Sequence, residues 1–257
     1  MADASADTIK QAIQEVIRSM MERLLTSVLE KEPFVEETHW GSKPLYAALV
    51  PDEIFKGAYF ERRFVTRFGK AWQQLAVLAA KYGLGEARVE HSIRGNVPQE
   101  RLNRIAEVLN KLEHQSRNTQ ARTRPDWGNE LSYILEGRGE LIPTTVNCDV
   151  YAVDLQNARS LAFELKAPLP NSDITKVSKE KLLKLYSMEP RQVDAAYFAL
   201  PYNPYGTREN YAWSFPARWF NMRTDPVVLI GEELWDMIGG AGTYYAFISA
   251  INEIGSP

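Results

Sequence analysis

The stretch CDVYAVDLQNARSLAFELKAPLPN, from Cys148 to Asn171, constrains this chain more than any other. It reads as a strand, a turn at Gln156 to Arg159 and a second strand. Asp149 lies on the first strand, Glu164 and Lys166 on the second. Alternate residues of a strand point to one face, so Glu164 and Lys166 project together while Leu161, Phe163 and Leu165 pack the other way. Hairpin pairing brings Asp149 alongside them. Two carboxylates beside one lysine, at the polar edge of an apolar sheet, suit a divalent metal and an activated water, the chemistry of a nuclease.

The rest of the chain is compatible with that expectation. Its 257 residues suffice for one large domain, or a catalytic domain with a helical annex. Apolar residues make up 45% and charged residues 25%, which fits a soluble globular protein. No run approaches the length of a membrane span, and the polar start MADASADTIKQ lacks the features of a signal peptide. A lone cysteine, Cys148, cannot form an internal disulfide, which suits a reducing cytoplasm. With only His39, His91 and His114 beside it, a Cys-rich zinc site is excluded. The net charge of −3 does not exclude nucleic acid, since an enzyme that recruits metal through carboxylates can still carry a basic face. Two segments are locally basic: His114 to Arg124, and Ser172 to Arg191. Either could follow a phosphate backbone or be a solvated surface.

Periodicity places the elements around the hairpin. Ile9, Ile13, Val16, Met20, Leu24 and Val28 predict an amphipathic helix over Thr8 to Lys31, ended by Pro33. A short helix and turn follow over Pro44 to Phe55. A second long helix covers Phe60 to Leu84, with Phe60, Phe64, Trp72, Leu75 and Leu78 as its buried stripe. Pro98 opens a third helix through Leu112, and Gln115 to Pro125 is a polar, arginine-rich loop. Beyond Pro143, strands are expected at Val146 to Asp154, Ser160 to Lys166, Val193 to Leu200 and Val227 to Ile230. Helices are expected at Ser172 to Tyr186 (packing through Val177, Leu182, Leu183 and Tyr186), Glu232 to Ile238 and Tyr244 to Ile254, with a glycine turn at Gly239 to Gly242 between the last two. With no repeat or linker, the expectation is a single domain over 1–257. Residues 1–125 would be its helical N-terminal part and 143–257 the catalytic sheet core, an α/β (α+β) fold with a mixed central sheet flanked by helices.

The order strand, strand, helix, strand from Val146 to Leu200 calls for a right-handed crossover back to the sheet. It resembles the common core of the PD-(D/E)xK nucleases. An acid-x-Lys tripeptide is weak by itself; about one or two would arise by chance at this composition. Glu164-Leu165-Lys166 is the only one here and falls in an apolar strand. The competing reading is an edge strand whose Glu164 and Lys166 are solvated or paired with each other.

Three places carry a resemblance to the TdeIII family of type II restriction endonucleases. They are Phe60-Glu61-Arg62-Arg63-Phe64 continuing to Phe68-Gly69-Lys70, the hairpin with its tail Ala167-Pro168-Leu169-Pro170-Asn171, and Leu229 to Asp236 with Gly239-Gly240 and Gly242-Thr243-Tyr244. Leu169 departs from the pattern, standing where a second lysine belongs. The resemblance implies a Mg²⁺-dependent endonuclease cutting double-stranded DNA at a short, G/C-rich, near-palindromic site of GGNCC type.

On this reading Asp149, Glu164 and the Leu165 carbonyl hold the metal, and Lys166 orients or helps deprotonate the attacking water. The products are 5′-phosphate and 3′-hydroxyl ends. Enzymes of this fold often lend a helical acid to the metal site, and Glu61 is the candidate, against a surface glutamate paired with arginine. Asp154 reads as a turn residue, Cys148 as core, and Trp213, Trp219 and Trp235 as core or interface. DNA contacts are expected from Arg117, Asn118, Arg122, Arg124 and Lys176, arginine being suited to guanine O6 and N7; Gln120 and the segment Asn203 to Asn210 offer similar groups. A two-fold site calls for a homodimer. The alternatives are a repair or mobile-element nuclease without sequence specificity, and an inactive DNA-binding protein on the same fold.

Overall fold

Short apolar runs, buried almost throughout, make most strands of the second half of the chain, and three- and four-residue spacing makes the helices of the first. The computed structural model describes residues 2–31, 33–114 and 122–255. In chain order these form α1 (Ala2–Thr26, continued by a π turn over Ser27–Lys31), α2 (Glu36–Ser42), α3 (Pro44–Leu49), α4 (Asp52–Gly83), β1 (Gly85–Pro98), α5 (Gln99–Glu113), α6 (Trp127–Leu135), β2 (Leu141–Asp154), β3 (Arg159–Leu165), α7 (Ser172–Ser187), β4 (Ala195–Leu200), β5 (Val228–Ile230), α8 (Glu232–Gly239) and α9 (Thr243–Gly255). The chain divides into two compact units, Met1–Leu75 with Ala246–Pro257, and Ala76–Tyr245.

The first unit is helical. α1 buries Ile9, Ile13, Ile17, Met20 and Leu24; Ile17 takes the place expected of Val16, which is only half-buried. Along α4 the rings of Phe60, Phe64, Phe68 and Trp72 meet in succession, and Trp72 packs on Phe247. Burial grades along this ladder, from Phe60 at 39% exposure to Trp72 at 7%. Leu45, Leu49 and Ile54 also remain open, at 78%, 81% and 60%.

The second unit is built on a five-stranded mixed sheet of order β1-β2-β3-β4-β5, flanked by helices and consistent with a restriction-endonuclease-like fold. β1, β2 and β3 are antiparallel, while β4 returns parallel to β3 through α7 and β5 parallel to β4. β3 is therefore the central strand, paired on both sides, and not the edge strand of the competing reading, although Glu164 and Lys166 do form an ion pair at 3.1 Å. On the face that carries Glu164, Ala162 joins a core of Leu182, Leu183, Phe198, Trp219 and Phe220 among others. Each large side chain there contributes about 1.5–3 kcal/mol by leaving water. Of the packing positions expected on α7, Leu182 and Leu183 are buried, but Val177 is 52% exposed.

Two elements carry no clear sequence signal. β1 exposes most of its length and buries only Ile93, Val97 and Pro98, so its alternation is faint. α6 is a short helix set by its N-cap, where Asp126 accepts the Asn129 N–H at 3.0 Å. Among the described residues, no helix is long and apolar enough to cross a membrane.

Candidate active site

On β2, Val146, Cys148, Val150 and Ala152 are buried, and Asp149 between them is half-buried. Val150 pairs with Phe163 across to β3, and the same register extended one residue sets Asp149 opposite Glu164. One Asp149 oxygen, Oδ2, accepts the Leu165 N–H at 2.9 Å and the Lys166 ammonium at 2.7 Å. Glu164, 1% exposed, accepts from Lys181 of α7 through Oε1 at 2.7 Å. Its other oxygen, Oε2, lies 3.1 Å from Lys166 Nζ, yet the angle leaves this buried atom without a hydrogen bond. It is the only such side-chain atom among the described residues.

The electrostatics follow from burial and charge. Burial pushes the Glu164 carboxyl above its ordinary range; Lys166 pulls against this and Asp149 adds to it. Burial alone would lower Lys166, but the charges of Glu164 and Asp149 outweigh it and hold the ammonium above its usual value. Cys148, buried beside Asp149 in the chain, is pushed up to about 12 by desolvation and then by Glu164 and Asp149. Nucleophilic and metal-binding cysteines act as thiolates, so Cys148 is a packing residue.

Local sequence explains why the groups converge. Asp154 accepts the Gln156 and Asn157 N–H groups, an Asx turn that reverses the chain, with Ala158 at φ +51°. After Lys166, the Pro168 and Pro170 carbonyls accept Tyr211 Oη and Trp213 Nε1, each at 2.8 Å. Asn171 then caps α7 by accepting the Ile174 N–H, which aims Lys181 back at the sheet. Leu169 stands between the two prolines, 46% exposed. Across the sheet, Glu90 of β1 lies opposite Asp149 at φ +50°, and the β1–β2 pairing is interrupted there. Such left-handed non-glycine residues are rare and gather at functional sites.

Asp149, Glu164 and Lys166 therefore come together as the spacing predicts. Glu61 is exposed on α4, in the first unit. Arg117 and Asn118 lie outside the described residues. Arg122 and Arg124 are exposed, and Arg124 lines an open depression of about 530 Å³ with Arg223, Tyr211 and Trp213. Lys176 is committed to Glu113 at 2.5 Å and lies over the Trp219 ring. The basic character of α7 is compensated internally, because Lys176, Lys179, Lys181 and Lys184 each meet a glutamate. Trp219 and Trp235 are core. Lys181 is the site residue that spacing alone misses; its only signal is membership of that basic helix.

The oxygen-rich cluster suits a hard divalent cation. Among the described residues no three His, Cys, Asp or Glu side chains are gathered for a metal, so two carboxylates would be completed by backbone carbonyl, water and substrate. The orphaned, buried Oε2 of Glu164 is the atom whose surroundings fit such an ion.

A family model for HinfI-type type II restriction endonucleases matches residues 9–255. The chain is 24% identical over 258 residues to type II restriction enzyme HgiEI of Herpetosiphon aurantiacus, covering 97% of this chain and 91% of that protein. It is also similar to HgiBI and HgiCII of the same organism, 26% and 27% identical over 220 residues, covering 83% of this chain and 77% of each relative. No solved structure matches it significantly. The matched family is thus the HinfI family where the motifs resemble TdeIII; what the two share is type II restriction.

Proposed function

This chain belongs to the HinfI family of type II restriction endonucleases, and from that premise we propose that Asp149, Glu164 and Lys166 are its catalytic centre. It is a site-specific deoxyribonuclease. The observation that supports the assignment best is Glu164: a fully buried carboxylate, beside Asp149 and Lys166, with one oxygen left unbonded.

Type II restriction endonucleases generally need a divalent metal, and we propose Mg²⁺ held by Asp149, Glu164 and the Leu165 carbonyl. When bound, the ion supplies charge neutralisation at phosphorus and a lower pKa for the attacking water. Lys166, kept as an ammonium by its carboxylate neighbours, donates hydrogen bonds that orient that water for in-line attack. The new bond joins the water oxygen to phosphorus, the bond to O3′ breaks, and O3′ takes up a proton. The ends are 5′-phosphate and 3′-hydroxyl, as in the PD-(D/E)xK reading of the motif.

Arg117, Asn118, Arg122, Arg124 and Lys176 are proposed DNA contacts, with at least one arginine on guanine. The position of Arg124 beside Arg223 and Trp213, in a depression stapled to the loop after Lys166, supports a DNA-facing surface there. The proposed target, a G/C-rich near-palindrome of GGNCC type, rests on the TdeIII resemblance. A homodimer would supply two active sites related by two-fold symmetry, and the exposed apolar side chains Leu45, Leu49 and Ile54 are suited to its interface.

Plasmid cleavage with and without Mg²⁺, followed by end sequencing, tests this reading. Discrete fragments with 5′-phosphates are expected. A smear would indicate a nonspecific nuclease, and intact plasmid a binding protein. Glu164→Ala should abolish cleavage while DNA binding persists.

A further inference from the structure

Glu164 is gripped by two lysines from different elements. Lys166 follows it on the same strand and also serves Asp149. Lys181 reaches it from α7 and donates only to Oε1, at 2.7 Å. The terminal torsion of a glutamate is broad and nearly two-fold, so an unrestrained carboxylate exchanges its oxygens freely. With an ammonium fixed on Oε1, that freedom is lost, and Oε2 is held in the unbonded position beside Lys166.

We propose that Lys181 is a positioning residue for DNA cleavage: it clamps Oε1 of Glu164 so that Oε2 is presented to the metal. This rests on the reading of Glu164 as a metal ligand. Lys181 acts through Glu164, its hydrogen-bond partner, as outer-shell partners do for other ligating carboxylates. Its side chain is 28% exposed, so its substitution need not disturb the core.

The test uses the full chain carrying Lys181→Met or Lys181→Arg. Mn²⁺ affinity is measured by calorimetry without DNA, DNA binding in EDTA, and kcat and KM at saturating Mg²⁺. Lys181→Met should weaken Mn²⁺ binding about 10- to 100-fold and lower kcat, with DNA binding and KM unchanged. Lys181→Arg, which keeps a charged donor, should restore most of both. Wild-type or tighter Mn²⁺ affinity in Lys181→Met, with wild-type kcat, would overturn the proposal. Should Lys181→Met fail to fold, Lys181→Gln replaces it: tighter Mn²⁺ binding in the arginine than in the glutamine variant supports the clamp, and equal affinity overturns it. Glu164→Ala separates the two failures. If it still binds Mn²⁺ and cleaves, the active-site assignment is wrong; if it is inactive while Lys181→Met behaves as wild type, only the clamp is.

Discussion

Lys179 and Lys181 stand two residues apart on α7, about 200° around the helix, and each meets a glutamate in very different company. Lys179 is fully buried, pairs with Glu130 of α6, donates to the Trp219 carbonyl and lies against the Trp127 and Phe220 rings. No buried side-chain nitrogen or oxygen around it lacks a hydrogen bond among the described residues. Lys181 is partly exposed, and the glutamate it holds keeps one oxygen unbonded. The same ion pair thus appears once as a closed structural joint and once as a site one partner short. A buried charge with complete pairing stabilises a specific packing; one left incomplete is a burden that a ligand can relieve.

The sharpest way to break this contrast is to neutralise each cluster in turn. Glu164→Gln should reduce cleavage by about three orders of magnitude, ~4 kcal/mol of transition-state stabilisation. Its thermal stability should stay within about 1 kcal/mol of wild type, because the charge removed was desolvated and Lys166 and Lys181 both reach solvent. Lys179→Ala should do the reverse. It strands Glu130, whose side chain is only 11% exposed, at a cost of about 3–5 kcal/mol and a melting temperature about 10 °C lower. Cleavage at a temperature where the variant is folded should survive. Melting curves and single-turnover rates on both variants decide the matter; a destabilised Glu164→Gln with normal cleavage would reverse the assignment of the clusters.

The hairpin was legible because its information is local. Strand alternation, an Asx turn at Asp154 and the acid-x-lysine pair all lie within one short segment, and register does the rest. β4, β5 and the three helices of this half follow from equally local apolar patterns. Contributions across the sheet were not legible. β1 faces solvent over most of its length and lacks periodicity, so Glu90 opposite Asp149 could not be placed. Lys181 resembles every other lysine of α7 until the fold shows which glutamate it meets. The expected phosphate-tracking role of that helix looked only at its own charges, whereas Glu113, Glu130 and Glu164 come from elsewhere in the chain.

A smaller effect comes from pH. Burial lowers the Lys179 pKa below its ordinary 10.5, and Glu130 offsets this only in part. The folded protein therefore releases this proton before the unfolded chain does. Below the folded pKa the cost of the buried charge is present in full. As pH rises from there toward 10.5, the unfolded state holds more protons and stability increases. The stability of wild type relative to Lys179→Met, followed by denaturant titration, should be flat near neutrality and climb through the alkaline window below 10.5. A flat difference throughout would mean that Glu130 cancels the desolvation.

The smallest effect belongs to a third lysine of the same helix. Lys184 pairs with Glu180 one turn earlier at 2.6 Å, both side chains being about one-third exposed. Glutamate on the N-terminal side is the favourable order, but an exposed pair of this kind contributes only about 0.3–0.5 kcal/mol. Alanine recovers part of that through its higher helix propensity. Lys184→Ala should thus leave melting nearly unchanged, and the residual difference should vanish in 1 M salt, where screening acts within about 3 Å. Cleavage should be untouched, since the Lys184–Glu180 ion pair is separate from those of Asp149 and Glu164. A fall in DNA affinity without a fall in stability would show that the exposed side of α7 meets the phosphate backbone. Lys184 would then join Lys181 on the working side of the helix, apart from the buried Lys179.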